Sequence, residues 1–144
     1  MLGNEFEMSF FQGQERLVTM KNLLVAQSGG PSAAINATLA GVVEKAMTNQ
    51  NVGKIYGAKN GIMGILTDKL IDLTETLADP ETLQLLCQTP SSALGSCRMK
   101  LSDWEESTFE YDKILGIFRK YDIGYFVYIG GNDSMDTVHK LAGF

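Results

Sequence analysis

Two stretches of this chain repeat one design: a buried strand, a Gly-Gly turn, then a helix. The first reads Val25-Ala26-Gln27-Ser28-Gly29-Gly30, the second Tyr128-Ile129-Gly130-Gly131-Asn132-Asp133-Ser134. Strands that alternate with helices argue for an open parallel sheet with helices on both faces, an α/β, Rossmann-like arrangement. In such a sheet, ligands bind beyond the carboxyl ends of the strands. A glycine there lets the backbone come close to a ligand. The free N–H groups at the next helix start favour an anion. Two such turns on neighbouring strands would cradle one polyphosphate. Ordinary strand-to-helix turns also use glycine, so the spacing alone leaves both readings open. Neither turn matches G-x-G-x-x-G or G-x-x-x-x-G-K-[ST], so the chain has no dinucleotide fingerprint and no Walker A loop.

The remaining pattern fills in the alternation. Residues 23–26 predict a buried strand. A helix follows the first turn, with Ile35, Leu39, Val42, Val43 and Ala46 on one face. Residues 54–58 predict a second strand, 60–64 a glycine-punctuated loop, and 70–73 a weaker strand. Asp79 caps a helix that has Pro80 at its first position. Ser91 to Lys100 reads as a polar loop. Ser102, with Glu105 three residues on, predicts a capping box at the start of a long helix. Tyr111, Ile114, Leu115 and Phe118 form that helix's buried stripe. Residues 125–129 make the strongest strand, and a last helix is expected over 134–141, ended by Gly143.

Length and composition suit one soluble domain: 144 residues, 44% hydrophobic and 20% charged. The net charge of −5 gives no global attraction for nucleic acid or an anionic membrane, so an anionic ligand needs local donors. Cys87 and Cys97 form no C-x-x-C pair, and with one histidine they make a poor zinc set. They read as reduced thiols. No apolar run approaches the ~20 residues of a membrane span. Without a signal peptide, the expected location is cytoplasmic. Residues 1–19 lack a clear period and read as a poorly ordered extension; the domain is expected over 20–144.

Three segments now become specific. Ser28-Gly29-Gly30-Pro31-Ser32-Ala33-Ala34-Ile35-Asn36-Ala37 resembles the first phosphate-binding segment of 6-phosphofructokinases, S-G-G-D-x-x-G-x-N-A in many members. Leu94-Gly95-Ser96-Cys97-Arg98 resembles their L-G-[ST]-x-R. Ile129-Gly130-Gly131-Asn132-Asp133-Ser134 resembles their I-G-G-D-[GD]-[ST]. The order and spacing are compatible, and the similarity runs from about residue 20 to the end.

The resemblance implies a phosphoryl transfer from a donor to fructose 6-phosphate in glycolysis, by a homo-oligomer using Mg²⁺. It implies donor-phosphate contacts at Gly29, Gly30, Arg98, Gly131 and Ser134. A guanidinium suits that role because its planar fork matches phosphate oxygens; a solvated surface arginine is the plainer alternative. Asn132 replaces the family's usual metal-holding aspartate and offers an uncharged oxygen, so Asp133 joins it as a candidate ligand. Asp133 also bears on the donor. Glycine at its position resembles ATP users, aspartate pyrophosphate users, and a carboxylate where the α-phosphate of ATP would lie would reject ATP. A helix N-cap is the other role open to Asp133. The family's T-I-D-N-D segment, which carries the base, and its M-G-R segment do not occur in this sequence. The expectation is therefore an N-terminal fragment, inactive by itself and prone to self-association through strand edges. Its donor would be pyrophosphate, or ATP in the nearest alternative. A non-catalytic phosphate-binding or regulatory module and a generic doubly wound domain are the remaining alternatives.

Overall fold

The structure, a computed structural model, describes residues 19–144. The expected N-terminal extension lies outside the described residues except for its last position. In chain order the elements are β1 (Lys21–Gln27), α1 (Ile35–Met47), β2 (Val52–Ala58), α2 (Ile62–Leu66), β3 (Leu70–Asp72), α3 (Leu73–Thr76), α4 (Pro80–Gln88), α5 (Phe109–Lys120), β4 (Ile123–Ile129) and α6 (Asn132–Gly143).

The sheet order is β3-β2-β1-β4, which puts β1 inside. Its residues Leu23, Leu24, Val25 and Ala26 are all buried because both faces are covered. Side chains alternate between two cores. Leu23 and Val25 pack with Leu39 and Val43 of α1 and Leu73 of α3; Leu24 and Ala26 pack with Ile62 and Ile65 of α2 and Tyr111 and Ile114 of α5. The apolar run therefore has two helical layers to fill, one per face, as an open sheet with helices on both sides requires.

β1 runs parallel to β2 and β4, and β3 runs antiparallel to β2, so the sheet is mixed. The reason lies in the connection. Residues 59–69 hold only the short α2, too little chain for the crossover that a parallel return demands. Residues 60–64 are accordingly not all loop. Asn60 and Gly61 turn with φ of 57° and 62°, and Ile62 starts the helix. A five-residue helix is too short to display a period.

The α4 start is as expected: Asp79 Oδ2 accepts from the Thr82 N–H at 3.0 Å, and Pro80 is the first helical residue. The expected cap at Ser102 is corrected. α5 begins at Phe109, after Thr108. Ser102 instead donates its backbone N–H to Glu110 Oε2 at 3.0 Å, and its carbonyl accepts from the Tyr111 hydroxyl. The local capping pattern loses to these contacts with the first turn of α5. Tyr111 and Ile114 are the buried members of the predicted stripe; Leu115 and Phe118 are half-buried.

Candidate functional site

The β1–β4 pairing sets the two glycine turns side by side. Gln27 is in register with Ile129, and the Ser28 N–H donates to the Ile129 carbonyl at 2.8 Å beyond the strand ends. Gly29 then turns with φ +83°, a conformation that favours glycine. Gly131 leads directly into α6.

A third segment closes the site, and buried amides hold it there. Gln27 Oε1 accepts from the Leu94 N–H at 2.9 Å and the Ser92 hydroxyl at 3.1 Å. Asn36 Oδ1 accepts from the Ala93 N–H at 2.9 Å, and its Nδ2 donates to the Thr89 carbonyl at 2.9 Å. The Asn60 N–H donates to the Leu94 carbonyl at 2.8 Å. Leu94 itself is buried in the α1 core. The chain leaving this anchored loop carries Arg98 to the glycine turns.

The result is a cleft of about 710 Å³ walled by all three segments: Ser28 to Pro31, Ser96 to Arg98 with Lys100, and Gly131 to Asp133. Of the residues that the sequence pointed to, Gly29, Gly30, Arg98, Gly131, Asn132 and Asp133 all line it. Ser134 does not. It lies behind the wall, 2% exposed, and its Oγ has no hydrogen-bond partner among the described residues. A Cβ built on Gly130 would sit 2.1 Å from that Oγ, so the turn closes directly over the hydroxyl.

Asp133 is not the cap of α6. That position is Gly131, and Asp133 is the second helical residue, where a carboxylate complements the helix N-terminus. Its Oδ1 lies 3.0 Å from Lys100 Nζ. Beneath the turns, the Tyr128 hydroxyl accepts from the Ile62 N–H at 3.2 Å. Burial pushes the Tyr128 phenol up, against hydrogen bonds from Ser28 and Ile62 that act the other way.

Sequence reasoning missed Lys100, Gln27 and Asn36 as members of this arrangement. A signal existed for Gln27: it is a polar residue that ends an apolar strand, so its side chain needs buried partners. Lys100 carried no local signal, because only the fold brings it to Asp133.

A sequence model of the phosphofructokinase family matches residues 22–143. This chain belongs to the phosphofructokinase family. Over 123 residues it is 46% identical to a pyrophosphate–fructose 6-phosphate 1-phosphotransferase of Methylococcus capsulatus, covering 85% of this chain and 29% of that protein. It is 31% identical over 118 residues to an ATP-dependent 6-phosphofructokinase of Actinobacillus pleuropneumoniae, covering 80% and 32%. Its fold matches the crystal structure of a pyrophosphate-dependent phosphofructokinase from Nitrosospira multiformis with a TM-score of 0.77 and 44% identity, covering 85% and 29%. This phosphofructokinase chain thus spans about 29% of the length of such relatives. The family expected from the three motifs is the family found.

No helix among the described residues is long and apolar enough to cross a membrane. Nor do they contain a group of three His, Cys, Asp or Glu side chains placed to hold a metal.

Proposed function

We propose that residues 20–144 form the phosphoryl-donor side of a 6-phosphofructokinase whose donor is inorganic pyrophosphate and whose acceptor is fructose 6-phosphate. The observation that carries this is the convergence of two glycine turns and Arg98 on one cleft. Phosphoryl transfer asks a protein for positioning and charge neutralisation more than for covalent chemistry. Gly29, Gly30 and Gly131 bring backbone to the donor without side chains in the way. Arg98 offers a planar fork to two phosphate oxygens. The amino end of α6 adds its partial positive charge.

Pyrophosphate is favoured over ATP by Asp133, a side chain and a charge on the cleft wall. The higher identity to the pyrophosphate-using relative, 46% against 31%, points the same way.

The cleft also fits Mg²⁺. The Asn132 amide oxygen and the Asp133 carboxylate are hard oxygen donors on its wall, and the ion needs only one or two such protein oxygens when phosphates supply others. When bound, it would neutralise charge on the donor oxygens.

Calorimetric titration of the 144-residue chain with pyrophosphate, magnesium present, tests the reading. Binding is expected, and Arg98→Ala should weaken it by about tenfold or more, the scale of one charge-assisted contact. Heat from ATP but none from pyrophosphate would reverse the donor assignment. Heat from neither would end it.

A further inference from the structure

Four segments meet at one phenol. Tyr128 is half-buried in β4, two residues before Gly130, and lies behind the cleft wall. Its hydroxyl oxygen accepts from the Ile62 N–H at 3.2 Å. The first N–H of a helix has no partner within that helix, so the phenol caps α2 from another element. The same hydroxyl is hydrogen-bonded to the Ser28 side chain, which favours the ionised phenol, and to the Cys97 thiol, which opposes it. Opposite effects of that kind fit a hydroxyl that accepts from Ser28 and donates to Cys97.

Gly61 lets these groups close up. A Cβ built there would stand 2.7 Å from the Tyr128 hydroxyl, 3.1 Å from Cys97 Sγ and 3.1 Å from the Gln27 carbonyl oxygen. The neighbours in sequence give the cluster its meaning. Ser28 immediately precedes Gly29, and Cys97 immediately precedes Arg98. Gly29 and Arg98 both line the cleft. One hydroxyl thus bridges the first glycine turn and the arginine segment, and β4 runs on from it into the second turn. The aromatic ring is held separately, against Phe126 with centroids 5.7 Å apart.

We infer that Tyr128 is a positioning residue of the donor site: its hydroxyl, shared among Ser28, Cys97 and Ile62, sets the spacing between the first glycine turn and Arg98. Gln27 holds the arginine segment at Leu94, well upstream of the guanidinium. Tyr128 holds it at the residue next to Arg98, where a small shift most changes the aim of a planar fork. Tyr128 acts through Arg98 and not on the donor itself. The inference rests on the donor-site reading above.

A double-mutant cycle on the 144-residue chain tests it. Pyrophosphate would be titrated calorimetrically, at fixed magnesium, into the wild type, Tyr128→Phe, Arg98→Ala and the double variant. Tyr128→Phe keeps the ring and removes only the oxygen, and it should raise Kd about threefold to tenfold. Most of that loss should disappear in the Arg98→Ala background, because no fork is left to aim. Cys97→Ala should weaken binding in the same direction, and Cys97→Ser, which keeps an acceptor for the phenol, should restore it. A second readout needs no donor: with Cys87→Ser as background, iodoacetamide should alkylate Cys97 several times faster once Tyr128 is phenylalanine. Thermal midpoints identify any variant that fails to fold, and the Cys97 pair then carries the test. Wild-type affinity in both Tyr128→Phe and Cys97→Ala overturns the proposal. So do losses that simply add to that of Arg98→Ala, or an unchanged alkylation rate. If Arg98→Ala weakens binding and Tyr128→Phe does not, this inference falls and the donor site stands. If the wild type gives no heat with pyrophosphate, both fall.

Discussion

Gln27 at the end of β1 and Asn36 in the first turn of α1 meet through one hydrogen bond, Gln27 Nε2 donating to Asn36 Oδ1 at 3.2 Å. Both are buried, at 0% and 2% exposure. Gln27 Nε2 also donates to the Ile35 carbonyl at 3.2 Å. The remaining capacity of each amide goes to the loop after α4, at Thr89, Ser92, Ala93 and Leu94. The pair therefore ties the strand that carries the first glycine turn to the loop that carries Arg98. Contacts so distant in sequence fix the width of the cleft.

Replacing Gln27 with leucine tests that tie. The Leu94 N–H and Ser92 hydroxyl would lose their acceptor inside the protein, and buried polar groups left unpaired cost about 1–3 kcal/mol. A lower urea midpoint with an unchanged slope is expected, by about 2 kcal/mol overall. Pyrophosphate affinity should fall as well, because Arg98 is no longer held at its station. A variant as stable as the wild type would mean that the loop is held by other contacts.

Gly130 and Gly131 should separate fold from function. A Cβ at Gly130 meets Ser134 Oγ at 2.1 Å and Ser28 Cβ at 3.1 Å, while one at Gly131 meets nothing within 4 Å among the described residues. Overpacking of that kind costs about 1–3 kcal/mol, so Gly130→Ala should lower the thermal midpoint. Gly131→Ala should leave the midpoint near wild type and still weaken pyrophosphate, because its methyl group enters the cleft. Equal melting behaviour of the two variants would contradict the packing described for the second turn.

Asp133→Gly removes both the bulk and the charge from the cleft wall. If that carboxylate rejects ATP, the variant should gain calorimetric heat with Mg·ATP where the wild type has little. Pyrophosphate binding should persist through Arg98 and the glycine turns. Continued exclusion of ATP would move donor selection to another residue.

How much of this was legible in the sequence depended on the range of the forces involved. Strands β1, β2 and β4 and helices α1 and α4 announced themselves through local apolar runs, helical period or caps, each decided within a dozen residues. The glycine turns and Arg98 were legible as motifs. The direction of β3 was not, because it follows from the length of the connection rather than from Leu70 to Asp72 themselves. Ser102 and Glu105 have the right spacing for a capping box, yet Glu110 and Tyr111 capture Ser102 from the next helix. The Lys100–Asp133 pair and the Gln27–Asn36 tie are tertiary, and a one-dimensional pattern carries neither.

The acid limb of stability should depend on Asp79. Its carboxylate caps α4, and hydrogen bonds from the Thr82 hydroxyl and the Thr82 N–H hold its pKa below the usual aspartate value. A folded-state pKa below the unfolded one means that the native state favours the ionised form. The stabilisation is thus complete above the unfolded value, about 3.9, and is lost as pH falls through the lower folded value. Asp79→Ala should lower the urea midpoint at pH 7, and the gap from wild type should narrow as the pH is taken well below 3.9. Asp79→Asn, which keeps a capping oxygen without the charge, should lie between the two at pH 7 and show the weaker pH dependence of the pair. Urea denaturation of the three proteins at several pH values measures this, and a gap that stays constant down the acid range would show that the charge on Asp79 contributes nothing to the cap.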